Sequence, residues 1–261
     1  MNRIDKKFEV LKAANKKAFI GFITAGDPHL DKTAALIYAL EAAGTDVIEI
    51  GIPFSDPLAD GPVIQEAAVR ALDHWDFNVA KVMKLMKEVR THTEVPIAYL
   101  VYVNTIIVYG KEKFISECVE AGIDGLIIPD MPLEERGELE ALINATDIAL
   151  IPLVAPTSKD RIEAIVSGCK GFTYCVSSLG VTGRSSDFYN GVELYLQDVR
   201  SRSVLPTAVG FGISTPADII ALKDYVDGVI VGSAIVNQVA ESNGNPEIVG
   251  AFVKTLVDAL R

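Results

Sequence analysis

Short apolar runs alternate with longer stretches in which apolar residues recur three or four positions apart, and this alternation governs the whole chain. The runs are AFIGFIT (18–24), DVIEIG (46–51), PIAYLVY (96–102), DGLIIPD (124–130), IALIPLV (148–154), GFTYCVS (171–177), PTAVGFG (206–212) and DGVIVGS (227–233). Most are apolar continuously rather than at every second position, the pattern of strands covered on both faces. Between them, stretches such as LDKTAALIYALEAAG and KEKFISECVEAGI have the periodicity of amphipathic helices. Ile4, Phe8 and Leu11 share one helical face, which predicts an extra helix ahead of the first strand. Eight strand–helix units in about 250 residues predict an α/β fold, a single (β/α)8 TIM barrel occupying 1–261 as one domain. A doubly wound sheet is the alternative, but no G-x-G-x-x-G or G-x-x-x-x-G-K-[ST] follows any run.

Composition narrows this picture. Of 261 residues 49% are hydrophobic, ample for a large core, and no linker or low-complexity tract divides the chain. The formal net charge of −11 is spread along the chain without a basic patch in the sequence, which argues against nucleic acid and anionic membranes as partners. A bound phosphate would then have to be held by local backbone N–H groups. The three cysteines, Cys118, Cys169 and Cys175, lack C-x-x-C spacing and fit a reduced chain better than a disulfide framework. The first residues have no apolar core of a secretory signal, and no apolar run approaches the roughly 20 residues of a membrane span. The expectation is a soluble cytoplasmic protein.

A barrel directs the search to the carboxyl ends of its strands. Gly210-Phe211-Gly212-Ile213-Ser214 ends the seventh run and Val231-Gly232-Ser233-Ala234 the eighth. Glycines there let backbone N–H groups approach an anion, and Ser233 would open a helix whose N-terminus favours negative charge. Turn glycines and a capping serine would read the same way. In the second run, alternation sets Val47, Glu49 and Gly51 on one face and Ile48 with Ile50 on the other. The isoleucines suit the layer beneath the helices, so Glu49 is expected inside the barrel, where burial would raise its pKa towards neutrality. A structural glutamate with a buried partner is the other reading. Asp60 precedes Gly61-Pro62 and either joins Glu49 or starts the following helix. Asp56 and Asp130 read as residues that shape their own loops. His29, His74 and His92 are scattered, no lysine ends a strand, and Ser177 with Ser178 has no adjacent base. The chemistry is therefore expected to use carboxylates, with Tyr102 or Tyr174, on a phosphorylated substrate.

The segments EIGIPFSDPLADGPVIQ, GFITAGDP, LVYVNTI, GLIIPDMP, SSLGVTGR, GFGIS and VGSAIV, in this order, resemble the tryptophan synthase alpha subunit family along the whole chain. The resemblance implies a (β/α)8 barrel that cleaves indole-3-glycerol phosphate to indole and glyceraldehyde 3-phosphate without cofactor or metal. It implies Glu49 and Asp60 as catalytic carboxylates, Glu49 moving protons and Asp60 binding the indole N–H, with Tyr174 assisting near the glycerol chain. It places Phe22, Leu100, Tyr102, Ile127, Leu153 and Phe211 around the substrate, and Gly183, Gly212, Gly232 and Ser233 at the phosphate. Thr182 would approach Asp60 and couple the loops 53–60 and 179–190, both expected to be mobile in the free chain. The implied partner is a beta subunit in an alpha2beta2 complex. Pro129, Pro156 and the SSLGVTG loop depart mildly from the family pattern. A stand-alone indole-3-glycerol phosphate lyase would share every motif named. A non-catalytic regulatory barrel would not need Glu49 and Asp60, and a phosphosugar epimerase or isomerase would need a metal cluster or a strand-end histidine.

Overall fold

The first run becomes β1 (Ala18–Thr24) over its whole length, with every residue buried. The other runs follow as β2 (Val47–Gly51), β3 (Ile97–Leu100), β4 (Gly125–Ile127), β5 (Ala149–Leu150), β6 (Leu153–Val154), β7 (Thr173–Val176), β8 (Thr207–Gly210) and β9 (Gly228–Val231). This computed structural model describes residues 2–74, 77–176, 186–210 and 212–261, without the side chains of 159 and 186–190. Adjacent strands pair in parallel in the order β5-β4-β3-β2-β1-β9-β8-β7-β6.

One predicted strand is two segments. Pro152 interrupts the fifth run because it has no N–H to give a ladder. The stave still serves both neighbours: Ile151 N–H donates to the Leu126 carbonyl at 2.9 Å, and the Pro152 carbonyl accepts from Tyr174 N–H at 2.8 Å. β5 therefore pairs with β4 and β6 with β7, and eight staves close into the ring.

Backbone N–H groups near the start of a barrel strand need partners at the mouth, and acids that precede a neighbouring strand supply three of them. Asp46 Oδ2 accepts from Phe19 N–H, Asp124 Oδ2 from Ile97 N–H and Asp227 Oδ2 from Thr207 N–H, each at 2.9 Å. Arg90 and Arg3 also contact Asp124, each at 3.1 Å.

The helix α1 (Arg3–Ala13) starts from an Asn2 cap, whose Oδ1 accepts from Ile4 N–H at 2.8 Å. Its Ile4, Phe8 and Leu11 join the apolar interior with Ala18, Ala149 and Phe172, so α1 closes the amino-terminal mouth of the barrel. Packing is tight enough to demand a glycine: a Cβ at Gly125 would lie 2.8 Å from Ile151 Cδ1 and 2.9 Å from Ile4 Cδ1. Ile48 and Ile50 pack outward with residues of the helices α2 (Leu30–Ala42) and α4 (Val79–Arg90), while Val47 faces the interior. The remaining helices are α3 (Pro62–Leu72), α5 (Val103–Tyr109), α6 (Lys111–Glu120), α7 (Gly137–Asn144), α8 (Ile162–Val166), α9 (Ser186–Arg202), α10 (Pro216–Leu222), α11 (Ser233–Glu241) and α12 (Pro246–Leu260). Among the described residues no helix is long and apolar enough to cross a membrane.

Candidate active site

At the carboxyl end of the barrel, β1, β2, β3, β7 and β9 direct Phe22, Glu49, Leu100, Tyr174 and Ile230 into a cavity of about 220 Å3. Asp60 and, from α3, Ile64 close one side; Gly212 to Ser214 and Gly232 with Ser233 close the other.

Glu49 is 1% exposed, and neither carboxyl oxygen has a hydrogen-bond partner among the described residues. Such burial disfavours the ionised form. Desolvation first, and the charge of Asp60 second, push its pKa up to about 8. Phe22 lies beside it, being its register partner across β1 and β2. The Phe22 ring crosses the Gly51 position, where a Cβ would come within 2.5 Å of Cζ.

The structure decides between the two roles open to Asp60. Gly61 is the cap of α3 and Pro62 its first residue, with no side-chain capping bond. Asp60 gives the helix only its backbone carbonyl, which accepts from Gln65 Nε2 at 2.8 Å. Its carboxyl lines the cavity, where burial pushes its pKa up to about 6 against the lowering effect of a hydrogen bond with Tyr102. Tyr102 stands behind Asp60 rather than in the cavity wall. Its hydroxyl also accepts from Ala59 N–H at 3.0 Å, and its ring stacks on Phe54 with centroids 5.1 Å apart. One side chain thus holds both halves of the loop from Pro53 to Asp60. Asp56 shapes that loop, accepting from Ser55 Oγ at 2.6 Å, and Asp130 Oδ1 receives Val103 N–H at 2.8 Å at the start of α5.

The Tyr174 hydroxyl is held un-ionised by burial and then by the charges of Glu49 and Asp60. It lies over β8 where Gly210 leaves room, since a Cβ there would sit 2.6 Å from its oxygen. Gly232 caps α11, and the N–H groups of Ile235 and Val236 close on its carbonyl at 2.9 and 3.0 Å. The amides of Ser233 and Ala234, in the first turn, have no acceptor within the helix, and Ser233 lines the cavity. Gly212 adopts φ +78, a left-handed conformation suited to glycine.

Ile127 and Leu153 belong to the interior packing and do not line the cavity. Thr182, Gly183 and Phe211 lie outside the described residues. Ile64 and Ile230 line the cavity without having been singled out from the sequence, while Ile213 and Ser214 line it from the glycine-rich segment 210–214. Ile230 was accessible to the alternation rule, two positions before Gly232 on β9; Ile64 lies one helical turn beyond Asp60. Among the described residues no group of three or more His, Cys, Asp or Glu side chains could hold a metal ion.

The model of the tryptophan synthase alpha chain family matches residues 8–260. Over 263 residues the chain is 50% identical to the tryptophan synthase alpha chain of Thermoanaerobacter sp. (strain X514), with all of both chains covered. It is 49% identical over 261 residues to that of Caldanaerobacter subterraneus subsp. tengcongensis, covering 100% of this chain and 99% of the relative. The crystal structure of tryptophan synthase subunit alpha from Legionella pneumophila str. Paris matches with a TM-score of 0.92 at 37% identity, covering 100% of this chain and 98% of that one. A strand-borne carboxyl, a loop-borne carboxyl and glycine-rich ends on the last strands thus occur within a full-length match, and the chain belongs to the tryptophan synthase alpha chain family.

Proposed function

We propose that this chain cleaves indole-3-glycerol phosphate to indole and glyceraldehyde 3-phosphate by a retro-aldol reaction, with Glu49 as the proton-transfer group. The observation that carries this assignment is the Glu49 carboxyl, buried in the cavity with no hydrogen-bond partner among the described residues and a pKa of about 8. A group so tuned holds a proton at neutral pH and can release it to a substrate atom.

In this reading the protonated Glu49 delivers its proton to indole C3, making the ring a leaving group. Positive charge appears at the ring nitrogen, where the Asp60 carboxylate accepts the N–H and stabilises it. The Glu49 carboxylate then takes the proton of the hydroxyl beside the scissile bond. The oxygen electrons form the aldehyde carbonyl, the carbon–carbon bond breaks, and its electrons restore the aromatic ring. Glu49 ends as it began, protonated. Phe22, Leu100, Ile64 and Ile230 provide an apolar surface for the indole. Tyr174 assists at the glycerol chain, Tyr102 fixes the approach of Asp60, and the Gly212 and Gly232–Ser233 segments bind the phosphate. A beta subunit is the proposed partner, in an alpha2beta2 complex in the cytoplasm, and it would meet the carboxyl-end loops. Leu58, 93% exposed in the loop that carries Asp60, supports that placement.

Glu49→Gln keeps the size of the side chain and removes the exchangeable proton. Indole release is expected to fall at least about 10²-fold, with glyceraldehyde 3-phosphate binding retained. Near-normal kcat in a folded Glu49→Gln protein would refute the assignment.

A further inference from the structure

A second cavity, of about 360 Å3, opens at the opposite mouth of the barrel, between α1, the end of α9 and the starts of β8 and β9. It shares no lining residue with the cavity that holds Glu49. Its apolar lining comes from Phe8 and Leu11 of α1 and from Val204, Leu205 and Pro206. Val204 is 87% exposed, so part of this apolar surface already meets water.

The polar lining has the sign opposite to that of the chain as a whole. Lys12, Lys16, Lys17 and Arg200 line the cavity, against one carboxylate, Asp227, in a protein of net charge −11. That carboxylate is committed: Oδ2 accepts from Thr207 N–H at 2.9 Å and Oδ1 faces Arg200 Nη2 at 3.3 Å. Lys17 Nζ donates to the Val226 carbonyl at 2.6 Å. Lys12 and Lys16 are exposed, and among the described residues no hydrogen bond or ion pair engages either side chain. The carboxyl end of α1 accounts for a cation at Lys12 through the helix dipole, but not for Lys16 and Lys17 beyond it. Cations gathered around one cavity repel one another, and an anion placed among them relieves that repulsion. A small inorganic anion would use only the cations. Covering the apolar surface as well takes a ligand with a flat hydrocarbon body.

We propose that this cavity is a second small-molecule site, for organic anions that join one carboxylate to a flat apolar body. The carboxylate sits between Lys12 and Lys16, and the body lies over Phe8, Leu11 and Val204.

Naphthoate is a suitable probe, with naphthalenemethanol as its uncharged counterpart and acetate as an anion without the apolar body. Heteronuclear NMR titration of the full chain at low salt locates the binding. Naphthoate is expected to shift the backbone signals of Leu11, Lys12, Val204 and Leu205, with acetate much weaker. The double variant Lys12→Glu/Lys16→Glu, altered at two exposed positions, is expected to bind naphthoate at least about tenfold more weakly, the scale of one ion pair of this kind. Naphthalenemethanol should bind both proteins alike. Absence of shifts, shifts confined to the residues around Phe22, Leu100 and Gly232, or equal naphthoate affinity in the double variant would overturn the proposal.

Discussion

Glu49 projects from a strand with both oxygens buried and unpartnered, whereas Asp60 comes from a loop and receives a hydrogen bond from Tyr102. The difference in surroundings separates two groups that have similar values in water, Glu49 near 8 and Asp60 near 6. Between those values Glu49 carries its proton and Asp60 is ionised, the pairing that the proposed first step requires. Accordingly, kcat/KM for indole release is expected to rise with pH through about 6, as Asp60 loses its proton, and to fall through about 8, as Glu49 does. The substrate phosphate also ionises near pH 6, so the alkaline limb is the diagnostic one. A profile that stays level to well above pH 8 would remove Glu49 as the initial acid.

At the scale of elements, the junction of β9 with α11 presents the first-turn amides of Ser233 and Ala234, and Gly232 keeps a side chain out of their way. The glycine is not demanded by crowding: a Cβ there would rest 3.6 Å from Phe22, an ordinary contact. Gly232→Val is therefore expected to leave the barrel folded while placing methyl groups at the proposed phosphate site. Losing such charge-assisted hydrogen bonds, each about 1.5–3 kcal/mol, should weaken glyceraldehyde 3-phosphate by about tenfold or more and free indole far less. Isothermal titration with each ligand separates the cases; equal weakening of both would mean general damage. The fifth stave makes a related point. Its two short segments, interrupted at Pro152, still hydrogen-bond to both neighbouring strands, so the ring tolerates a local fault in one element.

The whole molecule is a barrel with two unlike mouths. One is closed by α1, whose Ile4, Phe8 and Leu11 complete the interior; the other is formed by loops, one of which carries both Asp60 and the exposed Leu58. A large apolar side chain beside the carboxyl proposed to bind the indole N–H is what a docking partner would use to hold the loop. Adding a beta subunit is expected to raise the rate of indole formation and to slow hydrogen exchange of amides from 53 to 60, by favouring the arrangement in which Asp60 reaches the ring nitrogen. An unchanged rate together with unprotected amides would mean that the chain works alone.

Much of this was legible in sequence. Continuous apolar runs marked the staves, the spacing of Ile4, Phe8 and Leu11 marked a helix ahead of the first strand, and alternation along 47–51 turned Glu49 inward; that this helix plugs the barrel mouth is a result of packing. The motif series identified the family, and with it the expected positions of the reaction. Such features are visible because they rest on periodicities of two or about four residues, within the reach of local sequence. Other features needed the fold. The sequence left Asp60 between a helix start and a catalytic position; the backbone path made Gly61 the cap and freed the Asp60 carboxyl for the cavity. The sequence showed that Glu49 is acidic and inward, but only packing shows that no described partner reaches its oxygens. Lys12, Lys16 and Lys17 are neighbours in an acidic chain without a basic patch, and only the fold brings Arg200, at the end of α9, to the same cavity. These outcomes depend on contacts between segments up to nearly two hundred positions apart, and the path of the chain through space, not the pattern along it, brings such segments together.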